Sequence, residues 1–387
     1  MADHSAAISM ADAIRIALEQ ALPLAPVEVP AAQSLAHVLA ADVLATEPHP
    51  QFRASVKDGY AVRAADVPAA GAVLQVVGES RAGMREVLAV DPGQACYVTT
   101  GGPIPSGADS VVEVERTSAA SGPAPGGTWI RVHRTLAPGQ DIRPVGFDIP
   151  AGSAVLGAGE LVGAPELGIL ATVGAQRVFV HPKPKLAIVS TGDEIVDAAE
   201  AGLLPPNCIR DAVRPMLLAA VAEERLAREV LDLGICADAA APLRTAVERA
   251  LAAEADVLIT SGGVSAGDRD LLGAHVLGEY GEVLFSLVKM KPGKPLTLTV
   301  ARRPGGARPL LIFSLPGNPV SSYATFQLVV APALRKIGGA REPRGRVLPV
   351  QLAAKLRLDN DRPEFHRATL EATPDFLRAH STGNQAR

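Results

Sequence analysis

The feature that narrows the fold most is one local pattern that occurs three times between Val257 and Ser321. Each time, an apolar run stops abruptly in a loop of glycine, proline, serine or lysine. Val257-Leu258-Ile259-Thr260 enters S-G-G-V-S-A-G-D-R-D, from Ser261 to Asp270. Glu282–Met290 enters Lys291-Pro292-Gly293-Lys294-Pro295. Leu310–Ser314 enters Leu315-Pro316-Gly317-Asn318-Pro319-Val320-Ser321. Short apolar runs bounded in this way read as buried strands. Loops of small residues leave backbone N–H groups bare at the carboxyl edge of a sheet, where open α/β sheets bind ligands and where such groups hold anions. With two lysines and several hydroxyls nearby, the pattern predicts a pocket for a phosphorylated or oxyanionic small molecule.

The flanking sequence supports an α/β architecture. Leu186–Ser190, Val230–Ile235, Val257–Thr260, Val283–Met290 and Leu310–Ser314 read as strands. Arg214–Val230, Pro242–Ala253, Asp268–Tyr280 and Val320–Lys336 read as helices. This alternation predicts a mostly parallel sheet covered by helices. His181-Pro182-Lys183-Pro184 is a stiff linker ahead of it. Upstream, Ser9 with Asp12 predicts a capped helix whose inner face carries Ile14, Leu18, Ala21 and Leu22. Ala31–Ala41 reads as a second helix, with Leu35, Val38 and Leu39 on one face. Between Phe52 and Leu136 short alternating runs (Val73–Val77, Ala95–Val98, Ser110–Val114, Thr128–Val132) predict an all-β module. Ala164–Thr172 is helix-like and Arg177–Val180 strand-like, so the chain returns to its N-terminal helices. The boundaries expected are 1–48 with 137–180 as a discontinuous mixed domain, 49–136 as the β module and 181–338 as the α/β domain. Residues 339–387 are expected to be a small, incomplete C-terminal β domain.

Composition removes several function classes. At 387 residues the chain exceeds one ordinary core. Aromatic residues make up 3% and the net charge is -4, so neither stacking platforms nor a basic footprint for nucleic acid is present. Cys96, Cys208 and Cys236 fit no metal or redox spacing, which suits a reducing compartment. No signal-peptide pattern and no spanning apolar run occur, so the expectation is a soluble cytosolic protein without a membrane partner. There is no G-x-G-x-x-G after a first strand and no G-x-x-x-x-G-K-[ST].

Eight loops taken together resemble one family. They are F-R-A-S-V-K-D-G-Y-A-V-R (Phe52–Arg63), T-T-G-G-P-I-P-S-G-A-D (Thr99–Asp109), P-G-Q-D-I-R-P-V-G-F-D-I (Pro138–Ile149), S-T-G-D-E (Ser190–Glu194), I-T-S-G-G-V-S-A-G-D-R-D (Ile259–Asp270), M-K-P-G-K-P (Met290–Pro295), L-P-G-N-P-V-S (Leu315–Ser321) and R-P-E-F-H-R (Arg362–Arg367). In this order they resemble the molybdopterin molybdotransferases, most closely the eukaryotic branch that includes the E domains of gephyrin and of the plant enzyme. The resemblance implies four domains per chain, with the α/β domain binding molybdopterin. It also implies a homodimer whose site lies between the α/β domain of one subunit and the Asp-Gly-Tyr region of the other. The implied reaction joins adenylated molybdopterin and molybdate, with AMP released in a Mg²⁺-dependent step. The chain lacks an adenylating domain, so a separate adenylyltransferase is the expected partner.

Site residues follow from the matched motifs. Lys291 and Lys294, with Pro295, Ser321 and Arg362, are expected at the molybdate dianion, which needs fixed cations and donors. The pterin or its phosphates would meet Thr191, Gly192, Ser261, Gly262, Gly263, Ser265, Asp268, Pro316, Gly317 and Asn318. Mg²⁺ takes carboxylate and phosphate oxygens, which points first to Asp270 and then to Asp238. Glu194, beside Asp193, is expected as an acid within the pocket. Asp58, Asp141, Arg143, Thr100 and Arg63 are expected to reach the partner subunit's site. His366 and the other histidines form no zinc cluster.

Three motifs depart from the family pattern. Leu287 stands where the family has a basic residue, and Lys289, on the same strand face, is the expected substitute. D-S-N becomes Asp211-Ala212-Val213, and an acidic pair is reduced to Asp238. Family members also continue past S-T-G-N-Q into a Ser/Arg-rich segment implied to help hold molybdate, whereas this sequence stops at Arg387. The missing segment and Leu287 keep one alternative open, a catalytically impaired pterin-binding paralogue. A gephyrin-like scaffold is the other alternative the resemblance raises, although that role depends on extra domains and a linker that this sequence does not contain.

Overall fold

The computed structural model describes residues 6–84, 88–123, 126–197, 199–200, 202–262, 270–303, 308–357 and 359–383. Its centre is a seven-stranded sheet. Its strands are β1 Ile8–Ser9, β2 Lys185–Thr191, β3 Glu229–Cys236, β4 Val257–Ser261, β5 Gly281–Lys289, β6 Pro295–Ala301 and β7 Leu310–Leu315. They lie in the order β1-β5-β6-β7-β4-β2-β3. β2 pairs in parallel with β3 and β4, and β4 with β7. Strands β2, β4 and β7 are apolar on both faces because helices cover both. Leu186, Ile188, Val257, Ile259, Leu311 and Phe313 enter one core, while Ala187, Val189, Leu258, Leu310 and Ile312 enter the other. This alternation is the period-2 rule of a strand with two buried sides.

The helices of this domain are α1 Met10–Gln20, α2 Val213–Glu223, α3 Ala240–Ala252, α4 Asp270–Tyr280, α5 Pro319–Thr325 and α6 Ala331–Ile337, with a π-helical stretch Phe326–Val330 joining the last two. The expected single helix Val320–Lys336 is therefore interrupted. Pro332 lacks an N–H and crowds the carbonyl four residues back, and a widened turn relieves that crowding. Helix α1 is capped as expected: Asp12 N donates to Ser9 Oγ at 3.0 Å. Its buried residues are Met10, Ala13, Ala17 and Ala21, while Leu22 is exposed. The small residues let the helix lie close against the α/β core rather than with the rest of residues 1–48. Strand β1 extends the same contact by pairing Ile8 with Val288.

Two further expectations need correction. Ala31–Ala41 is not a helix. A 3-10 turn, Ala31–Gln33, gives way to Ala36 at φ 60 and then to the strand Val38–Leu39. Helix α2 stops at Glu223 rather than Val230, because Arg225 adopts φ 52 and turns the chain into β3. Strand β6 had no sequence expectation at all. It runs antiparallel to both β5 and β7, so β5 and β7 point the same way. All three small-residue loops therefore leave the same edge of the sheet.

Elsewhere, six strands of the β module form one sheet, ordered Thr117–Ala120, Thr128–Val132, Val73–Ser80, Gln94–Val98, Gly59–Val62 and Ser110–Glu113. Val27–Pro30, Arg177–His181 and Val38–Leu39 pair together, as do Val43–Leu44 and Ala154–Leu156, which joins the two sequence-distant parts of the mixed domain. Gln351–Leu352, Leu377–Ser381 and Ala368–Ala372 make the small C-terminal sheet. Among the described residues no helix is long and apolar enough to cross a membrane.

Candidate active site

From β2 the chain passes to β3 on one side, then crosses to β4 on the other side of β2. The crevice between the carboxyl ends of β2 and β4 is thus the topological switch point of the sheet, where open α/β folds take ligands. Ser190, Thr191 and Ser261 occupy it. Ser190 Oγ and Ser261 Oγ lie 3.0 Å apart, and Thr191 Oγ1 donates to Ser261 O at 3.1 Å. Gly262, at φ +91, follows; a Cβ there would sit 2.3 Å from Thr191 O. Only glycine lets the two strand ends approach this closely. Gly317 adjoins it, its added Cβ only 3.6 Å from Gly262 Cα, so the first and third loops lie side by side.

Beneath the hydroxyls lies an acid that the sequence motifs named only as the first residue of Asp211-Ala212-Val213 and gave no role. Asp211 is 2% exposed. Its Oδ1 accepts from Ser190 Oγ at 3.0 Å and from the N–H groups of Val213 and Arg214 at 3.1 Å each. It thereby serves as the N-terminal cap of α2. Arg214 Nε donates to Asp211 Oδ2 at 3.0 Å, and its two terminal nitrogens reach Asp232 and Asp197, each at 2.5 Å. One guanidinium therefore ties the switch-point hydroxyls to two neighbouring segments. The sequence signal was present: an Asp three residues before an Arg, opening a helix without a Ser or Thr cap.

The loop Lys291–Pro295 turns out to be the hairpin joining β5 to β6, closed by Val288 N to Lys294 O at 2.8 Å. It rests on α5, since a Cβ on Gly293 would meet Thr325 Cγ2 at 2.7 Å. Lys291 and Arg362, expected together, are brought together through acids. Lys291 Nζ lies 2.5 Å from Glu364 Oε1 and 3.8 Å from Asp359 Oδ2, and Arg362 Nη2 donates to Asp359 Oδ2 at 2.7 Å. Backbone bonds Lys291 N to Pro363 O and Phe365 N to Lys291 O fasten the segment down. The Asp361 N–H and the Arg362 side chain hold the Asp359 carboxyl down to about 2. Lys291, then His366, lower that of Glu364. Lys294 and Lys289 are exposed and make no ion pair among the described residues. Ser321 stays within its own turn: Asn318 Oδ1 accepts from the N–H groups of Val320 and Ser321 at 3.0 and 3.1 Å, so those donors are already occupied.

Asp193 and Asp238 meet at the ends of β2 and β3, where Asp238 N donates to Asp193 Oδ1 at 3.1 Å. Glu194, expected inside the pocket, is exposed instead. Gly192 turns the chain outward there, with its N–H on Cys236 O. Burial, with Asp238 nearby, pushes the Cys236 thiol up to about 11. Gly263, Ser265 and Asp268 lie outside the described residues, and Asp270 begins α4 with its side chain outside them.

A separate cluster forms in the β module. Asp58 Oδ1 accepts from Thr100 N at 2.6 Å and from Thr100 Oγ1 at 3.0 Å. The Thr100 N–H, then its hydroxyl, lower the Asp58 carboxyl. Asp141, at φ 55, approaches Lys57 at 4.0 Å, and Ile142–Arg143 pairs with Ala54–Ser55. Arg63 is not in this cluster. It stands at the far end of the strand Gly59–Val62, roughly 16 Å along from Asp58, beside Asp66 at 3.9 Å.

The comparisons with known proteins agree with this arrangement. Residues 8–174 match the MoeA N-terminal region (domain I and II), and residues 187–336 match a probable molybdopterin binding domain. The molybdopterin molybdenumtransferase 2 of Mycobacterium tuberculosis (strain ATCC 25618 / H37Rv) is 34% identical over 368 residues, 92% of this chain and 86% of that one. The chain belongs to the molybdopterin molybdenumtransferase (MoeA) family. A gephyrin of Dictyostelium discoideum is 37% identical over 97% of this chain, which spans 57% of that protein's length. The crystal structure of a molybdopterin biosynthesis MoeA protein from Pyrococcus horikosii superposes with a TM-score of 0.76 at 30% identity, covering 98% of this chain and 90% of that one.

Membership of this transferase family accounts for the division of the molecule. The matched molybdopterin-binding segment carries the switch point and the Lys291 hairpin. The matched N-terminal region carries Asp58 and Thr100.

Proposed function

We propose that this chain inserts molybdate into adenylated molybdopterin, releasing AMP and forming molybdenum cofactor. The observation that carries the reading is the switch-point crevice. Its Ser190 hydroxyl is held by Asp211, two glycines, Gly262 and Gly317, lie side by side there, and a hairpin with two lysines leaves the same sheet edge. Such a crevice admits backbone close to a phosphate, and the hairpin offers positive charge to an oxyanion.

Mg²⁺ takes one or two carboxylates together with phosphate oxygens. Asp193 and Asp238, joined through the Asp238 N–H, supply acids at adjacent strand ends, so the donor set fits, with Asp270 as a further ligand. A cation held there would neutralise phosphate charge. Thr191, Ser261, Gly262 and Gly317 line the path of the pterin and its phosphates. Lys291 and Lys294 hold molybdate, with Lys291 exchanging its carboxylate partners for the dianion. Asp58, Thr100 and Asp141 complete the site from the partner subunit of a homodimer, since among the described residues none of them shares a hydrogen bond with Ser190, Thr191, Ser261 or Gly262. The protein works in the cytoplasm and receives adenylated pterin from a separate adenylyltransferase.

The test is AMP release from adenylated molybdopterin by the purified chain, with and without molybdate and Mg²⁺. Release requiring both is the expected result. Tight pterin binding without release under any condition would replace the transferase reading with that of a pterin-binding paralogue.

A further inference from the structure

A cleft of about 430 Å³ lies away from the switch point, where the mixed domain, helix α2 and the end of α6 meet. Val38, Leu161, Leu226 and Leu334 give it apolar walls. Its charged lining is unbalanced: Lys183, Arg225, Arg335 and Arg341 face only Glu224 and Glu342. Arg335 is engaged by Glu224 and by Pro343 O, and Arg341 donates to Ala158 O at 2.8 Å. Among the described residues Lys183 and Arg225 have no anionic partner.

Three local observations converge on those two cations. Lys183 is half-buried; burial, then the neighbouring Arg225, pushes its ammonium below the ordinary lysine range. Beside it, burial, then Lys183, pushes the His37 imidazole below its ordinary range, and its Nδ1 is buried with no side-chain hydrogen bond among the described residues. Arg225 sits in the left-handed conformation at the end of α2, where Leu226 N returns to Val221 O at 3.0 Å. That position favours glycine. An arginine there is a local backbone cost at a residue that lines the cleft.

We infer that this cleft binds a small organic anion with an apolar body, its acid group between Lys183 and Arg225 and its body against Val38, Leu161 and Leu334. The volume suits a one- or two-ring molecule. An anion would supply the counter-charge that Lys183 lacks, and the ligand would bridge the mixed domain to the α/β domain. This site is independent of the molybdate-insertion reading.

The probes are 8-anilinonaphthalene-1-sulfonate and its uncharged analogue N-phenyl-1-naphthylamine, titrated into the full chain and followed by fluorescence. The expected result is one saturable sulfonate site per chain, with the neutral analogue bound much more weakly. Lys183→Met and Arg225→Gln should each weaken the sulfonate about tenfold and leave the thermal midpoint unchanged. Leu161→Glu, at an exposed leucine, should abolish binding without touching either cation, and stands in should a charge variant fail to fold. Equal binding of the two probes, no saturable site, or affinity indifferent to Lys183 and Leu161 would each overturn the inference.

Discussion

Two aspartates in this molecule accept hydrogen bonds in opposite settings. Asp211 is buried at the switch point and accepts from Ser190, from two backbone N–H groups and from Arg214. Asp58 accepts from one residue, Thr100, on an exposed turn. The first is fixed by the α/β core on which it sits, so its geometry is complete before any ligand arrives. The second is oriented by its neighbour but faces outward, as suits a group that acts on another surface. Charge that must be preorganised is built into the sheet edge; charge to be delivered elsewhere is carried on turns.

Breaking the buried side should have the largest effect. Arg214→Met leaves Asp211 buried beside Asp232 and Asp197 without their cation. Removing one partner of such a network costs about 3–5 kcal/mol. Denaturant unfolding of the variant should show a loss of that size, with Lys at the position restoring only part because it cannot fork to three acids. Gly262→Ala comes next. Its Cβ would stand 2.3 Å from Thr191 O, so β2 and β4 must part at the crevice. The expected cost is about 1–3 kcal/mol, with pterin affinity, measured by direct titration, falling further than stability does.

How much of this was legible in the sequence follows the same division. Strands β2, β4 and β7 announced themselves because both faces are buried and the apolar runs are nearly unbroken. The loops at their ends were legible because glycine and proline mark them. Strand β6 was not, because Lys291–Pro295 reads equally well as a strand-to-helix loop, and only pairing shows the hairpin. The local pairing of Asp211 with Arg214 was there to be read, but the role of Asp211 at the crevice escaped, because it depends on Ser190, 21 positions away, which in turn meets Ser261 71 positions away. The acids that neutralise Lys291 escaped for the same reason, since Glu364 is 73 positions from it. Residue types name candidate donors; which charge they meet is decided by tertiary contact.

The exposed side is tested by Asp58→Asn. The amide oxygen still accepts from Thr100, so the thermal midpoint should not move. AMP release should nevertheless collapse if the carboxylate acts across a dimer. Mixing Asp58→Asn chains with Lys294→Met chains should then restore part of the activity, because one of the two sites in a mixed dimer is intact. No restoration would place Asp58 in its own chain's chemistry, and the contrast with Asp211 would lose its functional half.

The smallest expected effect sits where the two settings meet, at Lys291. Its ammonium is exposed yet held by Glu364, whose carboxyl Lys291 and His366 keep below its usual value. A carboxyl lowered in the folded state stabilises it above the unfolded pKa of 4.5 and ceases to do so as the pH falls through the lowered value. Asp359 behaves alike, its contribution fully present above 3.8 and lost as the pH falls through about 2. The segment around Arg362 should therefore loosen from the hairpin in acid before the sheet does, seen as faster amide exchange at Lys291 and Phe365. Glu364→Gln removes the competing charge while keeping an acceptor for Lys291. It should leave stability at neutral pH nearly unchanged and tighten molybdate binding severalfold by calorimetry. Weaker molybdate binding in this variant would mean that Glu364 aims Lys291 at the dianion rather than competing with it.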